Sequence, residues 1–351
     1  MARPRIEARQ ETDERERPPI TTVAAPPSLD TPLTSKPAPS WTRRHVLDLD
    51  DFSRGEIELV LDTAEAMKEV LERDIPRVPA LRGTTIVTLF YEASTRTRAS
   101  FELAGKVLGA DVINLTASGS SVEKGESLID TVRTLRAIGA HTLVMRHSMS
   151  GAPYLAAQHC DARVINAGDG WHAHPSQGLL DLYTLRKSLG SLEGRRVVIV
   201  GDVQHSRVAR SDIWGLTKMG AEVVVCGPPT LLPAELGRPH EDGLPPVTID
   251  TDLDRAVSGA DAVMALRLQQ ERMTSGLLPS LREYSRMYQV NEDRMARARP
   301  GAPVLHPGPM NEGVEISAAL AHGTRSLIED QVTNGVAVRM ALMYLMGRGI
   351  R

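Results

Sequence analysis

The sequence predicts an α/β protein: two doubly wound parallel-sheet domains joined by bridging helices, behind a disordered N-terminal tail. Three observations carry that reading. Short β-branched runs alternate with stretches of helical apolar spacing from residue 53 to about 190. The alternation restarts at Arg196-Val197-Val198-Ile199-Val200, the most strand-like run in the chain. Ahead of both, residues 1–42 mix charge with proline, as in Arg15-Glu16-Arg17-Pro18-Pro19 and Lys36-Pro37-Ala38-Pro39, and hold too little apolar surface to form a core. Strands separated by helices pair in parallel, because each crossover helix returns the chain to the same end of the sheet. A length of 351 residues is ample for two such cores.

Order begins near Trp41 to Leu49. Ser53, with Glu56 three residues on, forms a capping box for a helix reaching about Arg73. Strands are predicted at Thr84–Phe90, Asp111–Leu115, His141–Arg146 and Arg163–Asn166, with helices beginning near Thr95, Ser127 and Gly151. A helix from Pro175 or Ser176 to Leu189 leads through Leu192-Glu193-Gly194 into the second set. That set comprises strand Arg196–Val200, a helix over Ser206–Met219, strand Glu222–Cys226, a helix near Asp252–Ser258, strand Ala262–Ala265 and the run Pro303–His306. The last helix, about Gln331–Met346, is strongly apolar and needs a packing surface. Helices 176–189 and 331–346 flank the second half and are expected to bridge the two.

Composition narrows the function classes. Forty-one basic against 44 acidic residues leave a formal charge of -3, and aromatics make up 3% of the chain, so neither a basic field nor stacking platforms point to nucleic acid. Cys160 and Cys226 are far apart and form no CxxC pair, which argues against a disulfide framework or a cysteine-rich zinc site. No apolar run approaches the length of a membrane span, and the N-terminus lacks a signal-peptide core. A soluble, cytoplasmic enzyme is the expectation.

The stretch Phe90-Tyr91-Glu92-Ala93-Ser94-Thr95-Arg96-Thr97-Arg98 organises the rest. It lies where a buried strand ends and a helix begins, so backbone N–H groups of the first turn lack helical partners. An anion docked there meets those donors, the positive end of the helix dipole and two guanidinium groups. The plainer reading is a helix capped by Ser94 or Thr95 with its arginines on a wet face. Three hydroxyls interleaved with two arginines directly after a buried strand favour a phosphate site. Glu102 is placed to pair with Arg98 at i,i+4, which leaves Arg96 as the better ligand.

Further candidates follow other strands. Arg146 ends one strand and either projects into the crevice or pairs with an acid such as Asp130. The glycine-rich loop Asn166–Gln177 ends at a helix start with His174 as a donor to a carbonyl oxygen and Gln177 as an amide hydrogen-bonder. A zinc site on His172 and His174 ranks lower, since no carboxylate or cysteine spacing supports it. Residues 116–126, with Ser120 and Lys124, resemble a polar lid and lack the order of a Walker loop. Val200-Gly201-Asp202-Val203 suggests a dinucleotide turn, but Gln204-His205-Ser206 replaces its glycines; the turn offers Arg207 at a helix N-terminus instead. Arg267 and Gln269 alternate onto one side of an extended segment, and two arginines from this half suit a substrate with two carboxylates.

These motifs together resemble the carbamoyltransferase family over residues 42–351, and within it the enzymes that use aspartate. Ser94-Thr95-Arg96-Thr97-Arg98 is similar to the family's carbamoyl-phosphate signature, which implies that Ser94, Thr95, Arg96 and Thr97 hold the phosphate. By the same resemblance, Arg146 and His174 contact the carbonyl and Gln177 the amide. Ser120 and Lys124 belong to a lid reaching into a neighbouring subunit's site, Lys124 serving both substrates. Arg207 matches the arginine of the family's GD…R turn. Arg267-Leu268-Gln269 matches the Arg-x-Gln of aspartate enzymes, followed by a mobile loop at about 272–286. His306-Pro307-Gly308-Pro309 matches an HPxP element in which Pro307 and Gly308 offer carbonyls to the substrate amine. The Asp-x-x-x-Ser-Met-Gly segment and HCLP element of ornithine enzymes are absent. Glu312 stands where the family more often has a basic residue.

The resemblance implies a carbamoyl-phosphate domain of residues 43–176 plus 327–351 and an aspartate domain of residues 177–326. It implies transfer of a carbamoyl group from carbamoyl phosphate to L-aspartate, with no metal and no cofactor. Arg96, Thr97, Arg146, His174 and Lys124 carry the catalysis, in a homotrimer with sites shared between subunits. A regulatory or dihydroorotase-like partner stays open. The competing readings are an ornithine-type carbamoyltransferase, a nicotinamide-dependent oxidoreductase and an inactive scaffold.

Overall fold

The computed structural model describes residues 40–116, 125–239, 243–269 and 276–347. Most of the proline-rich tail, the lid residues Ser120 and Lys124, and 272–275 of the expected mobile loop lie outside the described residues.

Helix α1 (Arg54–Leu71) starts at the expected capping box: the Glu56 N–H donates to Ser53 Oγ at 3.2 Å and the Ser53 N–H to Glu56 Oε2 at 2.8 Å. The first sheet then forms from β1 (Thr85–Phe90), β2 (Asp111–Thr116), β3 (Thr142–His147) and β4 (Arg163–Asp169), in the order β2-β1-β3-β4 and parallel throughout. Helices α2 (Thr95–Val107), α3 (Leu128–Ile138) and α4 (Ala152–His159) connect the strands. Residue alternation sorts β1 between the two faces. Ile86 and Phe90 enter one apolar cluster with α1 and α2, while Val87 and Leu89 enter another with α3 and α4.

Helix α5 (Pro175–Leu189) carries the chain to the second sheet, in which β7 (Thr248–Asp250), β6 (Glu222–Cys226), β5 (Arg196–Val200), β8 (Ala262–Ala265) and β9 (Val304–Leu305) lie side by side in that order, again all parallel. Helices α6 (Arg207–Lys218) and α7 (Leu253–Val257) connect strands here. Val197 and Ile199 face the cluster shared with the first half, and Val198 and Val200 face the other side. Helix α11 (Ile328–Gly347) packs on α1, α2, α5 and β9, and α5 packs on α1, β4, α6 and α11, so both predicted bridges are present. A helix with neighbours all round is apolar all round. The polar exceptions on α11 that are nevertheless buried, Gln331, Asn334 and Arg339, therefore stand out.

Several elements differ from the sequence expectations. Strand β4 runs on to Asp169, so Ala167 and Gly168 belong to the sheet and not to a loop; the register slips between Met145 and His147 to admit them. β7, α8 (Leu281–Tyr288), α9 (Glu292–Met295) and α10 (Ala318–Ala321) are short, none longer than eight residues, and were not anticipated. Each of these helices nonetheless has a capping side chain, from Ser280, Asn291 and Ser317 respectively. Helix α8 occupies part of the stretch expected to be a mobile loop. Cys160 and Cys226 are buried and unpaired. No helix among the described residues is long and apolar enough to cross a membrane. Replacing Ser53 with alanine should cost about 1 kcal/mol of stability and Ser53→Thr much less, read from urea unfolding midpoints.

Candidate active site

The loops after β1, β3, β4, β5, β8 and β9 converge on one cleft of about 880 Å³ between the two sheets. Ligands are expected at the carboxyl ends of parallel strands, where helix N-termini open toward the crevice. From the first half come Ser94, Thr95, Arg96 and Thr97 at the start of α2, Arg146 at the end of β3, and His174 and Gln177 where α5 begins. From the second come Arg207 at the start of α6, Arg267 and Gln269 beyond β8, and Pro307 and Gly308 beyond β9. The cleft thus gathers all the predicted site residues apart from Ser120 and Lys124, which lie outside the described residues.

The start of α2 departs from the plainer capped-helix reading. Ser94 is the N-cap by backbone geometry, but no side chain caps the helix, so its hydroxyl is not spent on the first turn. Glu102 makes its ion pair with Lys106 at 2.5 Å, and not with Arg98. Arg96 reaches across the cleft to the β9 loop. A Cβ built on Gly308, whose φ is +62°, would overlap the Arg96 guanidinium, so only glycine lets the guanidinium lie there. Burial, reinforced by Arg267, lowers the Arg96 pKa from its ordinary value.

Arg146 lines the crevice and pairs with Glu92 in place of Asp130: it donates to Glu92 Oε1 at 2.6 Å and to the Ala167 carbonyl at 3.3 Å. The same carboxylate accepts two bonds from Arg207, at 2.7 and 3.0 Å, while Arg207 also donates to the Gly170 carbonyl at 3.1 Å. Glu92 therefore ties an arginine of each half together. Gly168, with φ +114°, makes room for both: an added Cβ would lie 2.9 Å from Arg207 Cζ and 3.2 Å from Arg146 Nη1.

His174 is held by its backbone, whose N–H donates to Ser211 Oγ at 2.9 Å. The imidazole is buried; that burial, with Arg146, Arg207 and Arg339 nearby, pushes its pKa well below 6.5 and keeps it neutral. His172, the other half of the zinc alternative, instead lies between Asp169 (3.1 Å) and Asp48 (3.4 Å). Arg267 Nη1 lies 3.4 Å from Gln269 Oε1, so the alternation placed both on the cleft side. The turn after β5 is filled by a 2.8 Å contact between His205 Nδ1 and Asp202 Oδ1, and Asp202 Oδ2 accepts the Gln269 N–H at 3.4 Å. Glu312 pairs with His322 and does not line the cleft.

Three charged or amide residues of the lining escaped the sequence reading: Glu92, Arg339 and Gln331. Glu92 was visible as the first acid after β1. Gln331 and Arg339 were visible as polar interruptions of the most apolar helix. Arg339 stacks its guanidinium over Phe101, 5.1 Å from the ring centroid, and burial lowers its pKa to about 10. In all, the lining holds five arginines against one carboxylate, in a chain whose net charge is -3.

Fold and cleft together define an α/β protein with a cationic, anion-binding cleft between two parallel sheets. Residues 44–187 match the carbamoyl-P binding domain of aspartate/ornithine carbamoyltransferases, and residues 193–346 match their Asp/Orn binding domain. The chain belongs to the aspartate/ornithine carbamoyltransferase family. It is 64% identical over 302 residues to the aspartate carbamoyltransferase catalytic subunit of Roseiflexus sp., covering 86% of this chain and 94% of that one. It is 57% identical over 316 residues to that of Dehalococcoides mccartyi, covering 90% and 95%. Among solved structures, aspartate transcarbamoylase from Trypanosoma cruzi in complex with carbamoyl phosphate and aspartate superposes with a TM-score of 0.77 at 29% identity, covering 88% of this chain and 98% of that one. Ornithine carbamoyltransferase from Pyrococcus furiosus superposes with 0.79 at 28%, covering 89% and 99%. Backbone shape alone does not separate the two acceptors.

Because the unfolded chain takes up a proton near pH 6.5 that folded His174 refuses, this residue makes stability fall as pH drops below 6.5. Urea unfolding from about pH 7 to about pH 5 should show a shallower decline in His174→Gln than in the parent.

Proposed function

We propose that this protein transfers the carbamoyl group of carbamoyl phosphate to the α-amine of L-aspartate, giving N-carbamoyl-L-aspartate and phosphate. The observation that carries this reading is the concentration of five arginines and the uncapped N-termini of α2 and α5 in a single cleft fed by both halves. Both substrates are anions, one a phosphate and the other a dicarboxylate. Ornithine carries a cationic side chain, which Arg207 and Arg267 would repel. The two relatives that are 57% and 64% identical are both named as aspartate enzymes, which points the same way.

In this mechanism the N–H groups at residues 94–97, the hydroxyls of Ser94, Thr95 and Thr97, and Arg96 hold the phosphate and stabilise it as it departs. Thr97, Arg146 and neutral His174 donate toward the carbonyl oxygen, which gains negative charge as the amine attacks. Such a donor is worth on the order of 3 kcal/mol. Gln177 takes the carbamoyl NH2. Arg207, Arg267 and Gln269 orient the aspartate, and the Pro307 and Gly308 carbonyls accept hydrogens from its amine. Lys124 and Ser120 close over the site from a neighbouring subunit of a homotrimer. Residues 43–176 with 327–351 serve the carbamoyl phosphate, and residues 177–326 the aspartate. The setting is the cytoplasm and the route de novo pyrimidine biosynthesis.

Arg96→Ala should lower kcat by about a thousandfold with an unchanged unfolding midpoint; near-normal turnover would remove Arg96 from the mechanism. Offered L-aspartate and L-ornithine in parallel, the purified chain should carbamoylate aspartate, and carbamoylation of ornithine alone would reverse the acceptor assignment. Mixed oligomers of Lys124→Ala and Arg96→Ala chains should regain activity that neither has alone, while no recovery would mean that each site is self-contained.

A further inference from the structure

Behind the cleft lie two carboxyl groups that the mechanism above does not use. Asp181 on α5 and Asp212 on α6 are each 1% exposed. Asp181 accepts from Gln177 Nε2 at 3.1 and 3.2 Å and from Gln331 Nε2 at 2.6 Å. Asp212 lies against the Asp181 carboxyl, and among the described residues no donor meets either Asp212 oxygen. Two ionised carboxylates in contact, away from water, repel and leave buried acceptors unsatisfied. One proton between them removes both costs.

We infer that Asp212 carries this proton and donates it to Asp181, and that the pair positions the reacting groups by fixing which way the amides of Gln177 and Gln331 point. The assignment to Asp212 follows from the neighbours. Asp181 has two amide donors and faces the Arg339 charge from α11, all of which favour its ionised form. Asp212 has no such support, and its charged neighbour is Asp181 itself. Burial pushes Asp181 up to about 7 and, with Asp181 adding to it, Asp212 well above its ordinary value. The flanking Gln177 and Gln331 are neutral.

The consequence reaches both halves of the cleft. An ionised carboxylate accepts only, so Gln177 must turn its NH2 inward and its Oε1 outward, where it accepts from the NH2 of a carbamoyl group. Gln331 must likewise give its NH2 to Asp181, which leaves its Oε1 for the His306 N–H at 2.9 Å. His306 Nδ1 in turn accepts the Gly308 N–H at 2.8 Å and its Nε2 lies 3.1 Å from Glu315 Oε1. The turn presenting the Pro307 and Gly308 carbonyls thus hangs from the same proton. The role assigned to that turn and to Gln177 rests on the proposed reaction, whereas the shared proton does not.

The test uses the full chain and two readouts. Infrared spectroscopy with 13C-labelled aspartate should show a protonated-carboxyl band near neutral pH that is lost in Asp212→Asn. In steady-state kinetics Asp212→Leu should raise KM for carbamoyl phosphate roughly tenfold, the cost of a lost charge-assisted bond. Asp212→Asn, whose NH2 still donates to Asp181, should recover most of that loss and move the alkaline decline of the pH profile upward. Absence of the band from the parent protein, or an Asn variant no better than Leu, would overturn the inference. The band is read without turnover, so a parent chain that shows it yet fails to carbamoylate aspartate would refute the proposed reaction and leave the shared proton standing.

Discussion

Five guanidinium groups repel one another, and the protein has to hold them in one partly buried cleft before any ligand arrives. Glu92 is the counterweight: one carboxylate bonds Arg146 of the first half and Arg207 of the second. Two of the other arginines are held by packing. Arg339 stacks on Phe101, and Arg96 lies against the bare Cα of Gly308. Cations kept at fixed positions in a poorly solvated cleft attract an anion more strongly than the same side chains spread over a wet surface, because little water remains to screen them.

That field also explains the state of the uncharged groups. His174 is hemmed in by arginines, so protonating it would add another positive charge to a buried cationic site; it stays neutral and can donate to a developing oxyanion without holding the charge itself. Further back, positive charge from Arg339 favours ionisation of Asp181, whose acceptor-only character then dictates the polarity of two amides. The electrostatics of the cleft and the hydrogen-bond directions behind it are one arrangement. A change on α6, remote from the anion, can therefore alter the geometry at α5 and at the β9 loop.

Much of this was legible in the sequence, and the reasons are local. The alternation of Val197, Val198, Ile199 and Val200 across two faces is a property of the strand itself, as is the capping box at Ser53. The run from Ser94 to Arg98 announces an anion site because strand end, hydroxyls and arginines are neighbours in the chain. What failed did so where neighbours in space outweigh neighbours in sequence. Arg98 and Glu102 are suitably spaced, yet Glu102 pairs with Lys106. Asp130 was a plausible partner for Arg146, yet Glu92 takes it from the end of the adjoining strand. Ala167 and Gly168 read as loop until the bulge opposite β3 draws them into the sheet.

The sequence by itself determined the order of the longer strands and helices, the position of the turn where hydroxyls and arginines meet a helix start, and the identity of the polar residues that follow each strand. Those depend on backbone periodicity and on residues a few positions apart. Only the tertiary structure decided that six separate loops meet at one cleft and that Gln331 and Arg339, on the last helix, stand behind it. It alone set Asp181 against Asp212. These pairings join residues tens to hundreds of positions apart, and no periodicity along the chain records which surfaces come into contact when two sheets and their bridging helices pack.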